Sequence, residues 1–235
     1  MDYYEIVFYT STAGAVSTLL IFLSSILKFI KKKQKKLAGY FMLYIFFGGF
    51  LSSSLYASTA YISWQMPWEV SYQTQCILFA LVFCSNIIGI VLLGEFCNYV
   101  YYKSNKRFSQ IIWFIGIILF SVFLLGGIIG YSHSPMGENN NDIKFEYYIL
   151  YYLFFLPIIS INIYKTYSLI HNFDIEKEYR RLLSFILLFF LGLVILFIFA
   201  LLDVFWDSIV DNIITMLLIP VCCCFAYIGF FKNEN

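Results

Sequence analysis

Seven long runs of apolar residues follow one another along this chain, and short polar segments separate them. Each run has about 20 residues or more, the length at which an α-helix crosses the hydrocarbon core of a bilayer. The pattern therefore predicts an all-α, seven-transmembrane helix bundle in a single domain, residues 1–235. The predicted spans are residues 6–30, 37–63, 74–101, 108–131, 146–166, 182–202 and 209–231.

The second run contains a group of small residues near its middle, Gly48-Gly49 followed by Ser52-Ser53-Ser54. Small side chains allow membrane helices to approach one another, so this stretch is small enough to let another helix come close. Between the fifth and sixth runs, residues 167–181 are predicted as a loop with a helical extension. Glu176 and Arg180 in this loop have the i,i+4 spacing of a helical ion pair.

Composition supports a membrane protein with little extramembrane mass. The chain is 61% hydrophobic and 12% charged, whereas soluble domains carry about 25% charged residues. Its mean hydropathy is +0.81. Seven spans leave no room for a sizeable soluble domain, so the lipid bilayer is the first expected partner, and no nucleic-acid partner is expected.

The basic residues are distributed unequally between the two predicted sides. Fourteen of the fifteen Lys and Arg residues fall on one side, and only Lys144 falls on the other. The resulting net charges are +9 and −8. Because basic loops are retained in the cytosol during insertion, this asymmetry predicts an N-terminus outside and a C-terminus in the cytosol.

Glu95 is the most prominent candidate for a functional residue within the spans. It lies in the third run, toward the predicted cytosolic end. A charged side chain at the centre of a bilayer costs about 3 kcal/mol or more, so such residues are usually paired or functional. Two interpretations remain open: a structural polar contact between helices, or a switch or binding role. Asn86 and Asn98 on the same run are candidate hydrogen-bond partners.

Basic side chains at the cytosolic boundaries form the second group of candidates. Such clusters anchor the topology and attract anionic lipid headgroups. They are also expected to contact a cytosolic protein partner. The residues concerned are Lys31, Lys32, Lys33, Lys35, Lys36, Arg107, Arg180 and Arg181.

Metal and cofactor chemistry finds little support. Asp203, Asp207 and Asp211 would share one face of a helix, and three carboxylates are suitable ligands for a divalent cation. Solvated boundary residues are the commoner role of such acids, so no metal is predicted. His133 and His171 lie in loops on opposite sides, which disfavours an intramembrane zinc hydrolase. We therefore expect no cofactor and no enzymatic activity.

A retinal pigment is excluded by the last span. Retinal proteins attach their chromophore through a Schiff base with a lysine of that helix. Residues 209–231 contain no lysine, so no retinal is expected.

Four stretches of the chain together match the pattern of a known family. They are Ile26-Leu27-Lys28-Phe29-Ile30, residues 91–99 around Glu95, Glu178-Tyr179-Arg180-Arg181-Leu182-Leu183 and Leu217-Leu218-Ile219-Pro220. These stretches are similar to the tobamovirus-multiplication-protein family of seven-span, G-protein-coupled-receptor-like membrane proteins. Gly94 stands where that family usually has a tryptophan before its glutamate. The resemblance implies a non-enzymatic protein of vacuolar, endolysosomal or plasma membranes that recruits cytosolic partners.

The expected function is therefore that of a receptor-like or scaffold protein that engages cytosolic partners through basic loops. One alternative is a small ion- or proton-coupled transporter or channel that uses Glu95. Another is a G-protein-coupled-receptor-like signalling protein, although Cys97-Asn98-Tyr99 ends the third span in place of Asp-Arg-Tyr. A transporter predicts a polar, aqueous path to Glu95. A receptor-like bundle predicts that Glu95 is held against a neighbouring helix.

Overall fold

The structure is a computed structural model, and it describes residues 3–32, 37–65, 68–128, 145–172, 177–206 and 209–231. Seven α-helices form within these ranges, one for each apolar run, which confirms the all-α prediction. They are α1 (Tyr3–Lys32), α2 (Leu37–Gln65), α3 (Trp68–Tyr101), α4 (Lys106–Ile128), α5 (Phe145–Asn172), α6 (Lys177–Trp206) and α7 (Ile209–Phe231).

Five helices contain a described segment that is long and apolar enough to cross a membrane. A shorter apolar segment, Met216–Gly229, lies in α7. These lengths and compositions are compatible with a membrane-embedded protein. The five segments are Tyr4–Ile30, Ala80–Tyr101, Lys106–Leu125, Ile149–His171 and Arg180–Phe199.

Except for α7, whose bounds equal its predicted span, each helix extends past its predicted span at one end or both, because a helix can continue into water after the apolar run has ended. α5 continues to Asn172 beyond the predicted end at residue 166, and α6 begins at Lys177, before residue 182. Most of the predicted loop 167–181 is thus helical, as the proposed extension requires. Residues 173–176, which include Glu176, lie outside the described part of the chain.

The helices pack mainly against their neighbours in sequence, and α1 also packs against α7. α3 is the central helix: it contacts α2, α4 and α5, and 67% of its apolar segment is buried. A polar side chain on α3 therefore has a high chance of meeting another helix.

α1 has small polar residues inside the bundle and large apolar residues outside it. Ser11, Thr18 and Ser25 are fully buried, whereas Leu20 and Leu27 are among its exposed side chains. The hydroxyls of Thr18 and Ser25 donate to carbonyls of their own helix. Soluble bundles usually have the opposite distribution, so this pattern is also compatible with a lipid-facing surface.

Glycines bring α3 and α4 into close contact. A Cβ atom at Gly116 would lie 2.3 Å from Val91 Cγ2, and one at Gly94 would lie 2.7 Å from Ile112 Cδ1. By contrast, a Cβ atom at Gly48 would have nothing within 4 Å. The small residues of α2 thus have two different surroundings: a Cβ atom at Gly49 would lie 3.8 Å from Cys223 Sγ of α7, whereas Gly48 lines a cavity between the helices.

Candidate functional site

Glu95 is held against α4 by a hydrogen bond. Its carboxyl atom Oε1 accepts this bond from Ser109 Oγ, and both side chains are partly buried. The neighbouring close contact of Gly94 with Ile112 keeps the two helices together at this level. A polar contact between helices is what the first interpretation of Glu95 describes, and the switch or binding role stays an open prediction.

Asn98 is bound to the turn that follows its own helix. Its Nδ2 donates to the Asn105 carbonyl over 3.1 Å, and Asn105 N–H donates to Asn98 Oδ1 over 2.8 Å. The Asn98 carbonyl also accepts bonds from the backbone N–H groups of Tyr102 and Ser104, each over 3.1 Å. Asn98 therefore organises the α3–α4 turn and makes no hydrogen bond to Glu95 among the described residues.

The turn is completed by Asn105, the residue before α4. Asn105 Oδ1 accepts the N–H groups of Arg107 over 3.0 Å and Phe108 over 3.4 Å, the geometry of a helix N-cap. Lys103 and Ser104 have φ values of 52° and 59°, which is the left-handed region that non-glycine residues enter mainly in tight turns. Hydrogen bonds on both sides of the turn hold it in this conformation.

A chain of hydrogen bonds connects the end of α3 to α5. Thr166 Oγ1 donates to the Asn162 carbonyl over 2.7 Å, so the Tyr101 hydroxyl, 2.7 Å from the same oxygen, is the donor to Thr166. Asn162 itself is fully buried. Asn162 is not among the candidates predicted from the sequence, although a lone amide inside an apolar run is a usable signal of a polar contact.

The basic helix ends meet at one end of the bundle, which we call the basic end. Lys28 Nζ of α1 lies 4.9 Å from the ring centre of Tyr227 in α7, and Lys165 Nζ of α5 lies 5.3 Å from that of Tyr102 after α3. The basic end comprises the described residues Lys28, Lys103, Lys106, Arg107, Lys165, Lys177, Arg180 and Arg181.

The predicted contact residues divide into two groups. Arg107, Arg180 and Arg181 are exposed at the basic end. The side chains of Lys31, Lys32, Lys33, Lys35 and Lys36 lie outside the described residues, as do those of Asp203, Asp207 and Asp211. The backbone assigns Asp203 to α6 and Asp211 to α7.

Among the described side chains, no group of three His, Cys, Asp or Glu residues has the arrangement of a metal site.

A cavity of about 280 Å³ lies between α2, α3, α5, α6 and α7. Apolar and aromatic side chains form most of its wall. Its polar lining includes Ser52 and Ser53 of α2 and Ser85 and Asn86 of α3. Asn86 is therefore the one predicted intramembrane candidate that lines the cavity, whereas Glu95 and Asn98 are not among the described residues of its wall.

Two of the serine hydroxyls that line the cavity are buried and have no hydrogen-bond partner. Ser53 is 1% exposed and Ser85 is 6% exposed, and neither Oγ atom has a donor or acceptor within reach in the described part of the chain. Ser11 Oγ and Asn162 Oδ1 are also unpartnered, but they do not belong to the described lining. The cavity thus contains unused hydrogen-bonding capacity.

Comparison with known proteins yields no relative. No protein-family profile, no curated protein and no solved structure matches this chain. The similarity to the tobamovirus-multiplication-protein family consequently stays a prediction from the residues quoted above.

Proposed function

We propose that this chain is a non-enzymatic, receptor-like or scaffold membrane protein that engages a cytosolic protein through its basic end. The observation that carries this proposal is the bond between Glu95 and Ser109. An ion- or proton-coupled residue needs access to a polar path. Glu95 instead contacts α4 and is not among the described residues that line the cavity, which supports the receptor-like alternative over the transporter.

The α3–α4 turn supplies an ordered surface for such a partner. Asn98 and Asn105 fix its backbone, and Lys103, Lys106 and Arg107 extend from it as exposed cations. A preorganised charged surface loses less conformational entropy on binding than a flexible loop. Clustered cations also accelerate encounter with an acidic partner. The proposed partner is therefore a cytosolic protein with an acidic surface.

The membrane assignment is part of the same proposal. With the basic end in the cytosol, its cations lie beside the anionic leaflet and strengthen the orientation of the bundle. The family resemblance favours an endolysosomal, vacuolar or plasma membrane. In this setting the headgroups provide a general attraction, and the partner protein provides the specific contact.

Proximity labelling tests the proposal. A biotin ligase fused after Asn235 is expressed on the full chain, on the variant Lys103→Glu/Lys106→Glu/Arg107→Glu and on the charge-preserving control Lys103→Arg/Lys106→Arg/Arg107→Lys. We expect the reversal to reduce labelling of the specific partner by about tenfold or more, equivalent to about 1.4 kcal/mol. The control should label the same partner as the wild type.

Orientation must be measured on the same variants, because reversing charges can alter membrane insertion. Protease protection of the tag identifies chains that kept their orientation. If correctly oriented reversal variants label the same proteins at wild-type levels, the basic turn is not the contact surface. If labelling changes only for lipid-associated proteins, headgroup attraction accounts for the charges and the proposed protein partner is refuted.

A further inference from the structure

The cavity has two chemically different walls. Aromatic side chains of α5 and α6 form one wall, where the rings of Phe155 and Phe197 stack at a centroid distance of 3.5 Å and those of Tyr151 and Phe197 at 5.2 Å. The Tyr152 hydroxyl donates to the Phe197 carbonyl over 2.7 Å. Its proton is therefore not available to a ligand. The aromatic wall therefore offers mainly flat apolar surface.

Hydroxyl and amide groups of α2 and α3 form the other wall. Many serine and threonine hydroxyls in the described helices donate to a carbonyl of their own helix, as Ser25 and Ser58 do. Ser53 and Ser85 line the cavity and depart from this pattern, because their buried hydroxyls have no hydrogen-bond partner among the described residues. A buried polar group without a partner is unfavourable. A ligand with a hydrogen-bonding group would satisfy these hydroxyls.

The charge of the lining limits the ligand further. None of the described residues around the cavity is Asp, Glu, Lys, Arg or His. An ion in such a cavity would lose its hydration without gaining a counter-ion, which is strongly unfavourable. The lining therefore selects an uncharged molecule.

Two glycines increase the volume that a ligand can use. Gly48 and Gly89 both line the cavity, and a Cβ atom at either position would have no protein atom within 4 Å. Packed interiors rarely contain voids larger than a water molecule. A cavity of about 150 Å³ in another protein holds benzene, so this cavity of about 280 Å³ has room for a molecule of about two fused rings.

From these features we propose that the cavity between α2, α3, α5, α6 and α7 is a binding site for a small, uncharged, largely apolar molecule that carries a hydrogen-bond acceptor. The apolar body packs on the Phe155–Phe197 stack, and a χ1 rotation of Ser53 or Ser85 brings its hydroxyl proton to the acceptor. This inference rests on the proposed receptor-like function and adds the chemical class of its ligand.

A fluorescence titration of the purified full chain in detergent tests the site. The probe is 2-acetyl-6-dimethylaminonaphthalene, which is neutral, has two fused rings and carries one carbonyl acceptor. The comparison compound is naphthalene-1-sulfonate, which has a similar ring system but a negative charge. We expect saturable binding of the ketone and no saturable binding of the sulfonate. Equal binding of both compounds would overturn the proposal.

Variants locate the binding within the cavity. Gly89→Leu should weaken ketone binding by at least about tenfold, because the new side chain occupies the ligand volume without a clash at its Cβ. Ser53→Ala/Ser85→Ala should weaken it by about tenfold, the effect expected for a lost hydrogen bond or two. The matched control Ser58→Ala removes an exposed hydroxyl of the same helix as Ser53 and should bind as the wild type does.

The serine variant keeps the test valid if Gly89→Leu does not fold. Wild-type affinity in a folded Gly89→Leu variant, or in the double serine variant, would mean that the ketone binds elsewhere, including in the micelle. The titration contains no cytosolic partner. A failed titration therefore overturns the ligand site alone, whereas failed proximity labelling overturns the proposed function.

Discussion

Asn98 and Asn105 hydrogen-bond to each other in both directions across the turn between α3 and α4. The Asn98 side chain supplies a donor and an acceptor, and the Asn105 backbone supplies their partners. Asn98 is buried, so water does not replace these bonds freely. Asn105 then caps α4 with its own side chain. One buried amide thereby fixes the geometry of the surface that we propose as the partner contact.

Replacing Asn98 with alanine should destabilise the protein. The change removes both side-chain bonds and leaves the Asn105 N–H without its partner, whereas the Asn105 carbonyl keeps the bond from the Ser109 N–H. Loss of these partly buried hydrogen bonds lowers the free energy of unfolding by about 1–3 kcal/mol. Thermal unfolding of the purified chain in detergent, followed by circular dichroism, measures this change.

Asn98→Asp separates the two bonds. An aspartate keeps the oxygen that accepts the Asn105 N–H, but it does not donate to the Asn105 carbonyl in its ionised form. Because this carboxylate would be buried and would face the Asn105 carbonyl, we expect a loss of stability at least as large as for alanine. If Asn98→Ala unfolds at the wild-type temperature, the reciprocal bonds do not stabilise the turn.

The bond between Glu95 and Ser109 predicts thermodynamic coupling between these positions. Ser109→Ala and Glu95→Ala should each lower the free energy of unfolding by about 1 kcal/mol or more, because each removes the same interhelical bond. The double variant should lose less than the sum of the two. A double-mutant cycle on thermal or denaturant unfolding measures the coupling, which is ~0.5–3 kcal/mol for residues in contact.

Glu95→Gln is the matched control in this cycle. Glutamine retains a side-chain oxygen that accepts the Ser109 hydroxyl proton, so its stability and expression should stay close to wild type. A change in partner labelling at unchanged stability would instead favour the switch or binding role of Glu95. Strictly additive single variants would refute the structural contact.

Replacing Gly116 with alanine and replacing Gly48 with alanine should change the stability of the protein in opposite directions. Alanine normally stabilises a helix interior by about 1 kcal/mol relative to glycine, and Gly48→Ala meets no neighbouring atom within 4 Å. Gly116→Ala would place Cβ 2.3 Å from Val91 Cγ2. Valine is branched at Cβ and cannot rotate freely away from the new methyl group. We therefore expect the overpacking to lower the free energy of unfolding by about 1–3 kcal/mol. Melting temperatures should rise for Gly48→Ala and fall for Gly116→Ala.

Val91 provides the check on this interpretation. If the clash with its methyl group causes the loss, then Val91→Ala should be less damaging in the Gly116→Ala background than in the wild type. Equal damage in both backgrounds would attribute the loss to another cause.

The helices were predictable from the chain because their main determinant is local. A run of apolar residues long enough to cross a bilayer identifies a helix whatever it packs against, and the bounds differ only where helices continue past the run, as α5 does to Asn172. It was also predictable that Glu95 would need a polar partner, because a carboxyl group in an apolar run is unfavourable without one.

The partners of these residues were not predictable, because they depend on how the helices cross. Spacing along α3 does not reveal that Glu95 contacts Ser109, or that Asn86 lines a cavity while Asn98 binds a turn. Gly48 shows the difficulty most clearly: small residues permit either a close helix contact or an open space. Only the three-dimensional packing distinguishes the two outcomes.

Orientation in the membrane gives the last prediction. The basic end gathers Lys28 of α1, the α3–α4 turn and the start of α6, and the positive-inside rule assigns such a surface to the cytosol. A tag placed after Asn235 should therefore be digested by protease added from the cytosolic side of intact vesicles, and a tag placed before Met1 should be protected. Detergent should expose both tags. A C-terminal tag protected until detergent is added would reverse the orientation, and the basic end would then be unavailable to the proposed cytosolic partner.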